Sequence, residues 1–288
     1  MHKVKAKNIL SSSMNMNIYR GCSHNCIYCD SRSHCYNINH DFEDIEVKEN
    51  ALELLEETLS KKRKKSMIFT GSMSDPYIPL EKELKMTRGA LELVYKYGFG
   101  ITLLTKSDLI LRDLDLIKKI NEKTKCVVQM TLTCADDELS KKIEPNVCPS
   151  SRRAQVLKIF SDNNIPTVVW LGPILPYILD TEENIKALLD MMIWAKVKGV
   201  LYFGMGMTLR SGNREYYYSN LDRLFPTLKQ VYINNYGDSY GVYSKNSYKL
   251  TKILNDTLSS HNIMHDKNEI FRYLKRLEKK EYVQLSLF

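Results

Sequence analysis

The sequence predicts an α/β fold, a partial (β/α)6 barrel of the TIM type carrying a C-terminal helical extension. From about residue 14 to about residue 230, short apolar runs rich in β-branched residues alternate with amphipathic helical patterns, giving six βα units. The run interiors, such as Ile101-Thr102-Leu103-Leu104 and Val168-Val169-Trp170-Leu171, are nearly continuously apolar, as in parallel strands covered by helices. No Gly-x-Gly-x-x-Gly turn is present, which favours a partial barrel over a doubly wound open sheet. In both folds ligands gather where the parallel strands end.

In chain order the predicted strands are Met14 to Tyr19, Ser66 to Thr70, Gly100 to Thr105, Cys126 to Thr133, Thr167 to Ile174 and Val200 to Met207. The helices between and after them fall near Lys48 to Lys62, Thr87 to Tyr97, Leu109 to Glu122, Ser150 to Asn163, Thr181 to Lys198 and Arg214 to Leu224. Boundary signals agree: Asp180-Thr181-Glu182-Glu183 supplies a cap and early carboxylates before Ile185, Leu188 and Leu189, and Gly199 follows Lys196 and Lys198. After Tyr232 the run Asn234 to Gly241 is turn-rich, and two helices follow near Ser247 to Ser260 and Asp266 to Lys280. The expected organisation is a barrel over residues 1–231, an appended extension over 232–282 and a tail over 283–288.

With 288 residues, 43% of them hydrophobic, the chain can bury one large α/β core or two smaller ones. The polar, basic start at Met1 to Asn8 has no apolar signal region and no long apolar run follows, so a soluble cytoplasmic protein is expected. Seven cysteines without a regular framework point to reduced thiols or metal ligation over disulfides. A net charge of +8 tilts the expectation toward an anionic partner.

Three of those cysteines, Cys22, Cys26 and Cys29, are spaced C-x3-C-x2-C directly after the first predicted strand. Three thiolates can hold three irons of a cubane [4Fe–4S] cluster and leave the fourth open to a substrate, whereas an electron-transfer cluster takes four. The competing reading is a structural zinc site completed by Cys35 or His24, but zinc ligands usually come in two short pairs separated by a spacer. Iron–sulfur is the expectation. Cys35, Cys126 and Cys148 are read as structural.

This loop, with an aromatic residue, Tyr28, before the last cysteine, resembles that of the radical S-adenosylmethionine (SAM) enzymes, where it follows the first strand of a partial barrel. Tyr19-Arg20-Gly21-Cys22, Gly71-Ser72-Met73-Ser74-Asp75-Pro76-Tyr77, Thr105-Lys106-Ser107-Asp108 and Lys142-Ile143-Glu144-Pro145 are similar to the branch related to spore photoproduct lyase. The resemblance runs from about Ile18 to Arg210. It implies a [4Fe–4S] cluster held by Cys22, Cys26 and Cys29, SAM chelated at the open iron, and cleavage of SAM to a 5′-deoxyadenosyl radical. It also implies an electron donor such as flavodoxin or ferredoxin.

Candidate SAM-binding residues sit at the strand ends: Gly71, Ser72 and Ser74 after the second, Lys106 after the third for the carboxylate, and Thr133 after the fourth. Glu144, Arg152 and Arg153 follow the fourth strand, and one arginine is a candidate for bidentate carboxylate binding. Tyr28 is a candidate both for cofactor binding and for catalysis. In spore photoproduct lyase a cysteine two residues before the Ser-Asp pair quenches the substrate radical; here that position is Ser72, whose O–H bond is too strong for the role. The tyrosine that follows the last cluster cysteine in that branch is Asp30 here. Cys134, at the end of the fourth strand, is the candidate substitute hydrogen donor.

Two features bear on the substrate. In the last predicted helix Arg272, Lys275, Arg276, Lys279 and Lys280 share one face, opposite Ile270, Phe271, Leu274 and Leu277, so the helix can dock on the barrel and present charge to phosphates. The terminus Gln284-Leu285-Ser286-Leu287-Phe288 resembles the pentapeptide that docks bacterial replication and repair enzymes on the sliding clamp, through Gln284, Leu285, Leu287 and Phe288. The expected function is radical SAM chemistry on DNA, a lesion repair of the spore photoproduct lyase type. The alternatives are the same chemistry on RNA or a small metabolite, and a zinc-stabilised nucleic-acid adaptor.

Overall fold

The structure, a computed structural model, describes residues 1–278. Its main sheet has six parallel strands: β1 (Asn15–Met16), β2 (Met67–Thr70), β3 (Gly100–Thr105), β4 (Cys126–Leu132), β5 (Thr167–Leu171) and β6 (Gly199–Tyr202). Their spatial order equals their chain order. A doubly wound sheet reverses direction at a switch point, whereas this one never does, so successive crossovers curl it one way into a partial barrel. The layer of helices comprises α1 (Ala51–Lys61), α2 (Met86–Tyr97), α3 (Leu114–Lys123), α4 (Ser150–Asp162) and α5 (Glu182–Trp194).

Side chains divide by strand parity. Val128, Met130 and Leu132 of β4 join the large core beneath the helices, while Val127 joins Val168 and Leu201 in a second apolar cluster. Gln129 shares the parity of Val127 and accepts a hydrogen bond from the Trp170 indole at 2.7 Å. Alternation therefore gives the sheet one helix-facing and one inward-facing surface.

Several boundaries differ from expectation for local reasons. The predicted first strand splits: Lys48 Nζ donates to the Asn17 carbonyl and Lys48 N to that of Ile18, at 2.8 and 3.2 Å. Tyr19–Arg20 consequently leaves β1 and joins a small sheet with Glu46–Lys48 and His2–Val4. β5 stops at Leu171 because Pro173 has no N–H to offer a ladder. The predicted sixth strand breaks after Tyr202 and resumes as Gly206–Thr208, antiparallel to Gly241–Tyr243. α5 begins where its cap predicts, with Thr181 Oγ1 accepting from Asn184 N at 3.1 Å, but it ends by Ala195, and Gly199 instead opens β6.

Beyond the barrel come α6 (Asn213–Leu224), α7 (Leu228–Tyr236), α8 (Ser247–Ser260) and α9 (Lys267–Lys275). α7 runs into the stretch expected to be turn-rich. α9 docks inside the barrel: Ile270 and Leu274 pack on Val127, Val168 and Leu201, at the end opposite the strand C-termini. The buried Lys125 ammonium secures it, donating to the Tyr273 and Arg276 carbonyls at 2.7 and 3.1 Å, where a helix C-terminus favours a cation. Arg272, Lys275 and Arg276 are exposed, but the backbone is extended at Arg276, so that residue is not on the helical face read from the sequence. Lys279, Lys280 and the Gln284 to Phe288 peptide lie outside the described residues. Among the described residues no helix is long and apolar enough to cross a membrane.

Candidate active site at the strand C-termini

The cysteine loop is held from both sides. Gly21 has φ +84°, and a Cβ there would lie 2.5 Å from the Phe42 carbonyl, the group that accepts from Cys22 N at 3.0 Å. Ser74 Oγ donates to the Gly21 carbonyl at 2.6 Å. On the far side Ile27 N donates to the Ile143 carbonyl at 3.0 Å, and Asn146 Nδ2 to that of Ser23 at 2.8 Å. Cys22, Cys26 and Cys29 all open onto one cavity of about 490 Å³, whose wall continues through Gly71, Ser72, Ser74, Asp75, Thr105 and Lys106.

Asp75, not singled out as a site residue from sequence, fixes two strand ends together. Its carboxylate accepts from Thr105 Oγ1 (2.6 Å), Tyr77 N (2.8 Å) and Lys106 N (2.8 Å), and faces His24 Nδ1 at 3.5 Å. Burial, opposed by Asp75, lowers the His24 pKa, so the imidazole is neutral near pH 7. Burial also disfavours the Lys106 ammonium, but negative charge at Cys26 and Glu144 outweighs it and holds the pKa above that of an ordinary lysine. Gly71 has φ +90° and sits against β3, where an added Cβ would fall 2.0 Å from the Leu104 carbonyl. Gly71→Ala is therefore expected to lower stability by more than about 1 kcal/mol, read as a lower unfolding midpoint. An alanine variant melting with the parent would contradict that packing.

Running from the cavity wall to behind the loop is a buried chain of three groups. Tyr28 Oη donates to one Glu144 carboxylate oxygen and Arg153 Nη2 donates to the other. Arg153 also donates to the carbonyls of Thr131 and Cys148, both at 2.8 Å. Burial alone would raise the Glu144 pKa, yet Arg153 and Lys106 pull it below the ordinary value; burial and Glu144 push the Tyr28 phenol well above its own.

Five expected site residues lie off the cavity wall. Arg153 and Glu144 satisfy one another behind it, and Arg152 points away to Asp108 at 3.0 Å. Thr133 does not line the cavity: β4 ends at Leu132, so the inward alternation stops at Thr131, which is on the wall, while Thr133 is wholly buried. Cys134 is off the wall as well, its Sγ donating to the Asp136 carbonyl at 3.2 Å. Tyr28, Gly71, Ser72, Ser74 and Lys106 do line it.

A family model described as the radical SAM superfamily matches residues 16–192. The chain belongs to the radical SAM superfamily. An uncharacterised protein of Methanocaldococcus jannaschii is 35% identical over 188 residues, covering 62% of this chain and 70% of that one. An uncharacterised protein of Mycobacterium bovis is 28% identical over 257 residues, covering 86% and 74%. Among solved structures, a spore photoproduct lyase variant with bound AdoMet and dinucleoside spore photoproduct superposes with a TM-score of 0.59 at 12% identity, covering 88% of this chain and 74% of that one. That likeness is one of fold.

Radical SAM proteins use a [4Fe–4S] cluster and SAM, and this radical SAM chain has a donor set that fits. Among the described residues, no trio containing these thiols comes within 4.8 Å, the closeness that suits a single ion. All three thiols border the same opening, so one cluster can be held by them together. Cys35 and His24 do not complete a zinc site: Cys35 accepts from Arg210 at 3.3 Å, and His24 faces Asp75. Burial pushes the bare Cys22 thiol up to about 12, so it is iron that would supply the charge to make a thiolate favourable here.

The opposite side of the cavity escaped sequence reasoning. Trp170, Leu201, Phe203, Met207 and Tyr243 make an apolar, aromatic wall, with Phe203 and Tyr243 more than half exposed and the Trp170 and Phe203 rings 5.7 Å apart. At its edge Asp30 accepts from Tyr36 Oη (2.8 Å) and Thr208 Oγ1 (3.0 Å), and Arg210 donates to Tyr36 Oη (3.1 Å) and Tyr240 Oη (2.5 Å). Inward parity predicts Trp170 and Leu201. Met207 and Tyr243 come together only in three dimensions, through an antiparallel pair whose strands are separated in sequence by α6 and α7.

Proposed function

We propose that this radical SAM protein acts on DNA, in a lesion repair of the spore photoproduct lyase type. The observation that carries the reading is a cavity with two unlike ends, three thiols and polar strand-end loops on one and exposed aromatic rings with an arginine on the other. Ring faces stack on bases, and a guanidinium pairs with phosphate, so the second end suits a nucleotide. Support of a coarser kind comes from the fold shared with spore photoproduct lyase, which has been solved with a dinucleoside photoproduct.

In this proposal Cys22, Cys26 and Cys29 hold the cluster, and Gly71, Ser72, Ser74 and Lys106 hold SAM. Bound together, cluster and SAM supply an electron and a primary carbon radical able to take hydrogen from unactivated carbon. The protein's part is positional. Asp75 ties the loops after β2 and β3, and the Lys106 ammonium, kept charged, would pair with the SAM carboxylate. Tyr28 acts through the cysteine loop it anchors to Glu144, as a positioning residue. With Ser72 at the thiol position and Cys134 off the wall, two non-cluster thiols bond wall residues among the described residues: Cys35 accepts from Arg210 at 3.3 Å and Cys148 donates to the Lys106 carbonyl at 3.2 Å. Delivery through Gln284, Leu285, Leu287 and Phe288 to a sliding clamp, and electrons from flavodoxin or ferredoxin, complete the proposal.

Anaerobic reconstitution with SAM and dithionite, in the presence of ultraviolet-damaged or intact DNA, tests it. The expected result is 5′-deoxyadenosine or repaired product that depends on damaged DNA. Formation of 5′-deoxyadenosine indifferent to DNA would move the substrate to RNA or a small metabolite; absence of iron binding would end the radical reading.

A further inference from the structure

A second cluster of ligating side chains lies outside this cavity, on the small sheet that leads into the cysteine loop. One ligand atom each from His2, His40 and Asp44 falls within 4.8 Å of the others, the one such group among the described residues. His2 Nδ1 is 2.9 Å from Asp44 Oδ2, and the two imidazole rings meet edge to face with centroids 4.8 Å apart. His40 carries the decisive detail. Its Nδ1 lies 2.9 Å from the Asp41 carbonyl, which can only accept, so that nitrogen holds the proton and Nε2 holds the lone pair. Nε2 is buried and has no hydrogen-bond partner, with Glu46 Oε2 3.9 Å away. A metal-ligating histidine is oriented in this way, one nitrogen anchored to a carbonyl and the other presented bare.

We propose that His2, His40 and Asp44, with Glu46 in reach as a fourth donor, bind one divalent transition ion of the zinc type. Two imidazoles with one or two carboxylates suit zinc and its neighbours, whereas calcium and magnesium prefer oxygen throughout. The ion's role is structural. It joins the strand His2–Val4 to residues 40–46, and that segment holds the cluster loop through the Phe42 carbonyl on Cys22 N and the pairing of Glu46 with Arg20.

The test uses reconstituted holoprotein, whose cluster cysteines are already occupied by iron. After a chelator wash, zinc is titrated against a chromophoric competitor, and zinc-edge X-ray absorption reads the first shell. One zinc per chain is expected, with nitrogen and oxygen ligands only. His40→Ala and Asp44→Asn should each weaken binding by at least about tenfold while iron content stays unchanged; both side chains are partly exposed, at 20% and 42%, so the fold tolerates them. No zinc uptake, a sulfur first shell, or uptake indifferent to both substitutions would overturn the proposal.

Discussion

Cys26→Ala is expected to take SAM cleavage below detection and bound iron from about four per chain to a small remainder. Cys26 is the most buried of the three cluster thiols, and Ile27 beside it is pinned to the Ile143 carbonyl, so no neighbouring donor can swing into its place. A cubane left with two protein ligands exposes two irons to solvent, and the chemistry belongs to the cofactor, so partial activity is not expected. The measurement is anaerobic iron and sulfide analysis with 5′-deoxyadenosine release. Cys134→Ala is the control: its thiol bonds the Asp136 carbonyl away from the cavity, and iron loading and cleavage should match the parent. Normal iron in the Cys26 variant would place the cluster elsewhere.

The sequence revealed this end of the molecule well because its signals are local. Continuous apolar runs located six strands, β3 to the residue, and the cysteine loop needs only eight consecutive positions. What it hid is set by pairing across distance. Asp75 shows itself only where β2 meets β3, and Tyr243 reaches the cavity through long-range antiparallel pairing with Gly206–Thr208. Thr133 falls off the cavity wall because period-two alternation holds only while the strand does, and β4 ends at Leu132. For α9, periodicity found the apolar stripe, yet a stripe says which side is buried and not that the barrel interior receives it.

The arginine pair is where a sequence expectation and the structure part most usefully. Both arginines were candidates for SAM carboxylate binding; the structure spends Arg153 on Glu144 and two carbonyls and leaves Arg152 on Asp108. Arg153→Met should therefore destabilise the fold by about 3 to 5 kcal/mol, because it strands a buried carboxylate. The sign with pH is checkable. In the parent, the depressed Glu144 pKa gives stability that is full above the unfolded-state value, about 4.3, and is lost as pH falls through the lower folded value. Without Arg153, burial pushes that carboxyl upward, so the variant loses stability as pH rises. The gap in urea midpoint between variant and parent should then be widest near neutral pH and narrow toward pH ~4. Arg153→Lys should recover only part of it, since one ammonium cannot span Glu144 and both carbonyls in fixed directions. A residue that gripped SAM would behave otherwise: its loss would raise the SAM concentration needed for cleavage and leave the urea midpoint, at every pH, where it was.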